Sequence, residues 1–262
     1  MLKIAENITS LYTVNLVEGE GVGTAYEYYA KLRKLKRFIN SIENPKRILI
    51  AGLPEKYGLS MDFFLLGQML QAETVVVDER PDALEKAQKA LLTLISERLF
   101  DESKIMFIQA DKIAEFNNQS LTGGKFDLAL SSEVLQRLDG AQGIYISNLK
   151  RVAHNLAIFV PNRRNESHAN LSGLNSVYME ELLQYCQEGQ SGVKIYDYGY
   201  IDMPPFPPGL SRSQEKRKQV VESRLETLLM KGLEIYSLFE DIIPKFIKEK
   251  IAHIVYVMAK VQ

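Results

Sequence analysis

The segment ETVVVDERPDALEKAQKALLTLISERL, residues 73–99, passes abruptly from strand chemistry to helix chemistry. Val75, Val76 and Val77 make its first part apolar on both parities, as expected of a strand covered by helices on both faces. Pro81 then suits a first helical turn, where a missing N–H costs nothing, and ALEKAQKALLTLISERL continues with helical spacing. A strand feeding directly into a helix predicts a parallel sheet with right-handed crossovers.

Working outward, the same apolar signature recurs in RILIAGL (47–53), KIMFIQAD (104–111), FDLALSS (126–132), NLAIFVPN (155–162), VKIYDYGY (193–200) and AHIVYVMAK (252–260), giving seven predicted strands. Leu59, Phe63, Leu66 and Leu70 predict a crossover helix over 59–71, with Ser60 as N-cap. Upstream, Tyr28, Leu32, Leu35 and Ile39 place one stripe on a helix over 25–42, closed by Pro45. The segment 203–250 opens with MPPFPPG, in which Pro204, Pro205, Pro207 and Pro208 impose an extended path. Beyond it, Val221, Leu225, Leu228, Gly232, Ile235, Phe239 and Ile242 form an apolar seam that Pro244 interrupts. This reads as a helical insertion, either a lid or a dimer surface, before the last strand. Residues 1–262 are expected to form one domain, divided into an N-terminal helical segment (1–45), a core (46–200), the insertion (201–252) and the last strand (253–262).

The 262 residues carry 32 Lys and Arg against 33 Asp and Glu, with 46% hydrophobic residues, so a coat of positive charge for nucleic acid is not expected. Basic runs at 31–37 and 212–218 read as solvated helix faces. A single cysteine, Cys186, cannot close an internal disulfide, and MLKIAENITS lacks a secretion-signal pattern, so a reducing, cytoplasmic setting is expected. No apolar stretch is long enough to span a bilayer.

Ligands of open parallel sheets bind beyond the carboxyl ends of the strands. There the sequence offers a turn at Gly52, with Leu53, Pro54, Glu55 and Gly58 in the following loop, then Asp78 and Glu79 after the second strand, and Asp111 and Lys112 after the third. A carboxylate such as Asp78 can accept both hydroxyls of a ribose, and Asp111 stands where an adenine amine can be received. G-x-G-x-x-G is absent, which argues against a nicotinamide-dependent oxidoreductase.

In VVVDERPDALEKAQ, IQADKIAEF and FDLALSSEVLQRL the chain resembles the class I S-adenosylmethionine-dependent methyltransferases, in particular the small-molecule group, over 46–199 and the last strand. The resemblance implies a Rossmann-like doubly wound α/β sheet of order 3-2-1-4-5-7-6 with the last strand antiparallel. It also implies S-adenosylmethionine as cofactor, with Asp78 on its ribose, Asp111 on its adenine and Ser131, Ser132 and Glu133 beside its methionine end. The first loop departs from the family's denser glycine pattern, retaining only Gly52 and Gly58, and Glu55 is the carboxylate available to the cofactor's amino group. The antiparallel last strand would set His253 near the ligand-binding rim. For the acceptor, Asn162, Arg163, Arg164 and His168 follow the fifth strand: the arginines suit a carboxylate or phosphate, and His168 suits a proton. Tyr29 and Phe206 are further substrate-side candidates. The expected activity is methylation of an oxygen or nitrogen on a small molecule. An RNA methyltransferase and a cofactor-binding protein without turnover are the alternatives.

Overall fold

The computed structural model describes residues 7–42, 44–55, 58–101, 104–116, 124–173, 175–188, 192–205 and 224–262. Two helices, α1 (Ile8–Glu18) and α2 (Val22–Ile39), precede the sheet. There follow β1 (Arg47–Ala51), α3 (Met61–Met69), β2 (Glu73–Asp78), α4 (Pro81–Ser96), β3 (Ile105–Gln109), β4 (Leu128–Ser132) and α5 (Gln142–Val152). The chain continues through β5 (Asn155–Pro161), α6 (Glu166–Ser172), α7 (Met179–Gln187), β6 (Val193–Ile201), α8 (Arg224–Glu240), α9 (Lys245–Ile251) and β7 (Ile254–Val261). Phe206 and the MPPFPPG prolines from Pro207 onward lie outside the described residues, as does Val221.

The strands pair in the order β3-β2-β1-β4-β5-β7-β6, with β7 antiparallel to both neighbours, so the expected topology is the observed one. Apolar residues of both parities are used. Ile48, Ile50, Val76, Leu128 and Leu130 join α1, α2, α3 and α4 in one core. Leu49, Ala51, Val75, Val77 and Ala129 join α5 and α7 in the other. Fully burying each aliphatic side chain contributes about 1.5–3 kcal/mol, and burial on both faces explains the absence of alternation in these strands.

The N-terminal helices are clamped onto the loop after β1. Gly58, at φ +68°, lies under Tyr28 and Glu18, and a Cβ there would meet the Tyr28 hydroxyl oxygen at 2.2 Å. The Leu59 N–H donates to Glu18 Oε2 at 2.7 Å, and the Tyr28 hydroxyl donates to the same oxygen at 2.8 Å. Gly58 therefore serves this close approach of helices. Ser60 does precede α3, but its side chain makes no capping bond and its backbone is left-handed at φ 57°. Asp62 supplies the acidic group of that first turn.

The insertion packs on the N-terminal helices. The Ile8 N–H donates to Glu234 at 2.8 Å, and Asp241 receives Arg33, Lys34 and Arg37 at 2.8, 3.0 and 3.1 Å. Those three cations of the basic run are thus occupied by an acid. The stripe of α8 that turns inward is Met230, Leu233, Ser237 and Glu240, whereas Leu228, Ile235, Phe239 and Ile242 of the expected seam face outward. The seam is rotated because α8 spends its inner face on α1 and α2. No described helix is long and apolar enough to cross a membrane.

Gly58→Ala should destabilise the protein by about 1–2 kcal/mol from the left-handed backbone alone, with further loss from the Tyr28 contact. Urea unfolding measures this, and an unchanged midpoint would contradict the packing described.

Candidate functional site

The carboxyl ends of β1, β2 and β4 carry two linked arrays of charge. The first begins at Gly52, whose φ of +84° turns the chain away from β1. A Cβ on Gly52 would come within 2.7 Å of Val134 and 3.3 Å of Arg137, so the loop after β4 closes over it. Asp78 is wholly buried at the end of β2. Its carboxylate receives the Leu53 N–H at 2.7 Å, the Arg80 N–H and Nε both at 2.9 Å, and guanidinium nitrogens of Arg80 and Arg137 at 3.0 Å each. Burial opposes its ionisation, but the Arg80 hydrogen bonds and the Arg137 charge outweigh it and hold the carboxyl below its ordinary range.

Glu79 takes the Ile113 N–H at 2.9 Å and pairs with the second arm of Arg137. Arg80 also ties the Leu53 carbonyl at 2.7 Å, and Pro54 is buried beside it. Glu55 and Asp111 are exposed, and Lys112 is exposed and paired with Glu115 at 3.1 Å. The carboxylate of Asp78, the residue expected to take a ribose, is thus ionised, with its oxygens held by two arginines and two backbone N–H groups.

The second array surrounds Lys31, which is fully buried and not part of a solvated face. Its ammonium meets Glu27 Oε1 at 2.8 Å and Asp62 Oδ2 at 3.3 Å, and donates to Ser132 Oγ at 3.2 Å. The rings of Tyr28 and Phe63 lie 4.8 and 5.1 Å from it. Burial works against the charge, but Asp62 and Glu27 raise the Lys31 pKa above the ordinary lysine value. The Tyr145 hydroxyl donates to the Ala51 carbonyl and accepts from the Ser131 hydroxyl at 2.8 Å. Glu133 is buried at the β4 end with φ 55°, and burial followed by the charge of Glu27 pushes its carboxyl well above the usual range.

At the β6 end, Asp202 (φ 64°) accepts from His253 Nδ1 at 2.9 Å. His253 thus stands at the rim, as the antiparallel last strand requires. The His168 ring stacks on it with centroids 4.0 Å apart. Burial, then the neighbouring His253 charge, pulls His168 down to about 4, leaving it neutral at pH 7. Burial opposes protonation of His253, but Asp202 outweighs it and raises its pKa. Glu240 reaches the same region from α8, receiving the Met203 N–H at 2.7 Å.

Several acceptor-side expectations require correction. Both Asn162 amide hydrogens donate to carbonyls, of Glu249 at 2.9 Å and Ala252 at 2.8 Å, and its oxygen accepts the Arg164 N–H at 3.1 Å. It fastens the end of β5 to α9 and leaves no donor for a substrate. Arg164 is exposed and paired with Glu180 at 2.8 Å, and Arg163 lies over Tyr178 with Glu181 at 4.0 Å. Arg163 lines an outer cleft of about 550 Å³ with Gln136, Asp139, Glu166 and Glu181, away from Lys31. Tyr29 is half-buried and packs against the core.

Lys31, Glu27, Asp62, Asp202, Glu240 and Arg137 were not anticipated as site residues. Lys31 had one available signal: its spacing from Tyr28 and Leu35 places it on the apolar stripe of α2.

The array has a pH signature. Burial pushes the Glu18 carboxyl up to about 8, against lowering hydrogen bonds from Tyr28 and Leu59. The folded chain keeps a proton that the unfolded chain releases near pH 4.5, so this contribution is lost as pH rises towards 8. His253 acts in the same sense above its ordinary value, whereas depressed His168 acts only below it. Tm should therefore fall between about pH 6.5 and pH 8, with a shallower fall in Glu18→Gln. A Tm that rises across this interval would refute the assignment.

No protein-family model matches the chain, and no curated protein matches it by sequence. Solved structures do. The plantazolicin methyltransferase BpumL, in complex with SAH, is 14% identical over 90% of this chain and 85% of its own, at a TM-score of 0.51. The plantazolicin methyltransferase BamL, in complex with a triazolic desmethylPZN analog and SAH, is also 14% identical, over 98% and 97%, at 0.51. An S-adenosylmethionine-dependent methyltransferase from Clostridium acetobutylicum is 10% identical over 90% and 91%, at 0.52. With this strand order and these likenesses, the chain has the fold of the class I S-adenosylmethionine-dependent methyltransferases.

Proposed function

We propose that this protein is an S-adenosylmethionine-dependent methyltransferase acting in the cytoplasm on an oxygen or nitrogen of a small molecule. One observation carries the reading. A buried, ionised carboxylate beside the Gly52 turn leads, along the carboxyl ends of β1 and β4, to a buried ammonium flanked by carboxylates. The first suits the diol of a nucleoside and the second suits the zwitterion of an amino acid, which are the two ends of the cofactor.

The residues present fit that group with one rearrangement. Ser60 Oγ, Asp62 and Glu133 Oε2 are buried with hydrogen-bonding capacity unspent, apart from the ion contact of Asp62 to Lys31. Lys31 and Ser132 would hold the carboxylate of the amino-acid end, and Asp62 its ammonium. Asp78 and Glu79 would take the ribose once Arg137 swings away, with Asp111 towards the adenine. The bound cofactor supplies a sulfonium-activated methyl group. The protein's part is orientation and exclusion of water, for which the cover of α1, α2 and α8 is suited. His168, neutral and with Nδ1 unpartnered, can accept a proton at the rim.

The outward residues Leu228, Leu238, Phe239, Ile242 and Phe246 make an apolar face on α8, α9 and the turn between them that we assign to a homodimer. Light scattering should give a dimer, and the double variant Ile242→Glu, Phe246→Glu a monomer. A monomeric unmodified chain would remove this part of the proposal.

Calorimetry should detect binding of S-adenosylmethionine or S-adenosylhomocysteine. Asp78→Asn should weaken it by about 1.5–3 kcal/mol through loss of charge-assisted bonds. Arg137→Ala should strengthen binding, because the competing guanidinium is gone. No binding by either the native chain or Arg137→Ala would overturn the reading, and cofactor binding without methylation of any acceptor would identify a fold that has lost turnover.

A further inference from the structure

The outer cleft of about 550 Å³ opens at the carboxyl ends of β4 and β5, and its lining includes neither Asp78 nor any residue of the Lys31 cluster. One wall runs from the helical turn Leu135–Arg137 to Gln142, and the other is made by the start of α6 and the segment 175–185. Both walls are fastened to the sheet. Arg137 anchors the first through Asp78 and Glu79. The second is tied to the end of β5, where the Val177 N–H donates to the Pro161 carbonyl at 3.0 Å and the Arg163 N–H to the Val177 carbonyl at 3.2 Å. The volume lies within the range of small-molecule sites, about 300–1,000 Å³.

Gln136 is the buried polar residue of this lining, 4% exposed, and neither its amide nitrogen nor its amide oxygen has a hydrogen-bond partner. An amide withdrawn from water with both ends unbonded is costly, and native structures keep few of them. A leucine would have similar size without that cost, so packing does not account for the amide.

The rest of the lining indicates what would complete it. Apart from Gly140, Ala169 and Val177, every side chain there carries a polar atom, so an apolar molecule would find little to pack against. Asp139, Glu166 and Glu181 outnumber Arg163, which lies over Tyr178 and 4.0 Å from Glu181, so an anion is repelled. Asp139 and Glu166 are exposed to solvent, so they require no cation. The buried Gln136 amide is neutral and places donors beside an acceptor, which a hydroxyl answers because it also donates and accepts. Gln142 and Asn170 repeat the amide elsewhere on the walls, and Tyr185 adds a ring with an apolar body and a polar tip.

We propose that this cleft binds a neutral sugar of one or two rings, with the Gln136 amide bonded to its hydroxyls. Binding there does not require the chain to be a methyltransferase. The test is calorimetric titration of the full chain with glucose, galactose, mannose, maltose and cellobiose. Glucuronate, diaminobutane and acetyl-trialanine amide serve as anionic, cationic and peptide probes. At least one neutral sugar should bind, and more tightly than each of those probes. Gln136→Leu and Asn170→Ala should weaken sugar binding, the first by about tenfold or more. Gln136→Leu should also leave Tm unchanged or raise it, since it removes an unbonded buried amide. Should Gln136→Leu fail to fold, as read by circular dichroism, Asn170→Ala and Tyr185→Ala carry the binding comparison. S-adenosylhomocysteine, titrated separately, bears on the methyltransferase reading alone. The proposal is overturned if no neutral sugar binds, if a probe binds more tightly than every sugar, or if binding is indifferent to the folded variants. A lower Tm in Gln136→Leu with sugar binding intact would assign the amide to structure and overturn it as well.

Discussion

A positive charge sits inside this molecule, on Lys31, and the carboxyl edge of the sheet is assembled around it. Taking an ammonium out of water costs several kcal/mol, which is recovered only where good partners surround it. Here they come from three elements: Glu27 on α2 itself, Asp62 on α3 and Ser132 at the end of β4. The ion therefore fixes the N-terminal helices to the strand ends. Glu18 and Tyr28, both bonded towards the loop after β1, fix them at a second place. Without the helices those strand ends would open to water. With them they form a low-dielectric region in which charges act strongly on one another.

The same arrangement explains where stability has been given up. Buried acids with raised pKa values and left-handed backbone at Ser60, Glu133 and Asp202 each weaken the fold locally. The hydrophobic layers on the two faces of the sheet carry that burden, and the strained groups lie at the one edge where a doubly wound sheet receives ligands. Arg137 shows a different economy. It joins Asp78 and Glu79 across the loop after β4, so that both acids are paired within the chain.

Local periodicity made the sheet legible. The valines of β2 and Pro81 of α4 each state their element within a few residues, and the strand order was implied by the family resemblance that the motifs of β2, β3 and β4 carry. Asp78 was legible as a strand-end acid, and His253 through topology. What was not legible depends on contacts distant in sequence. Arg137 lies 59 positions from Asp78, and His253 lies 51 from Asp202. Lys31 was masked by Arg33, Lys34, Lys36 and Arg37, which made its helix read as a basic surface. The apolar seam of α8 was visible, but which side of it faced α1 and α2 was decided by Glu234, Ser237 and Asp241, polar residues that periodicity ignores.

The central claim, that the Lys31 cluster and Asp78 form one continuous cofactor site, is tested most directly by a crystal structure of the protein grown with S-adenosylhomocysteine. The account predicts the amino-acid end at Lys31 and Ser132, the ribose on Asp78, and Arg137 displaced from that carboxylate. A ligand bound elsewhere, with Arg137 still joined to Asp78 and Glu79, would contradict it.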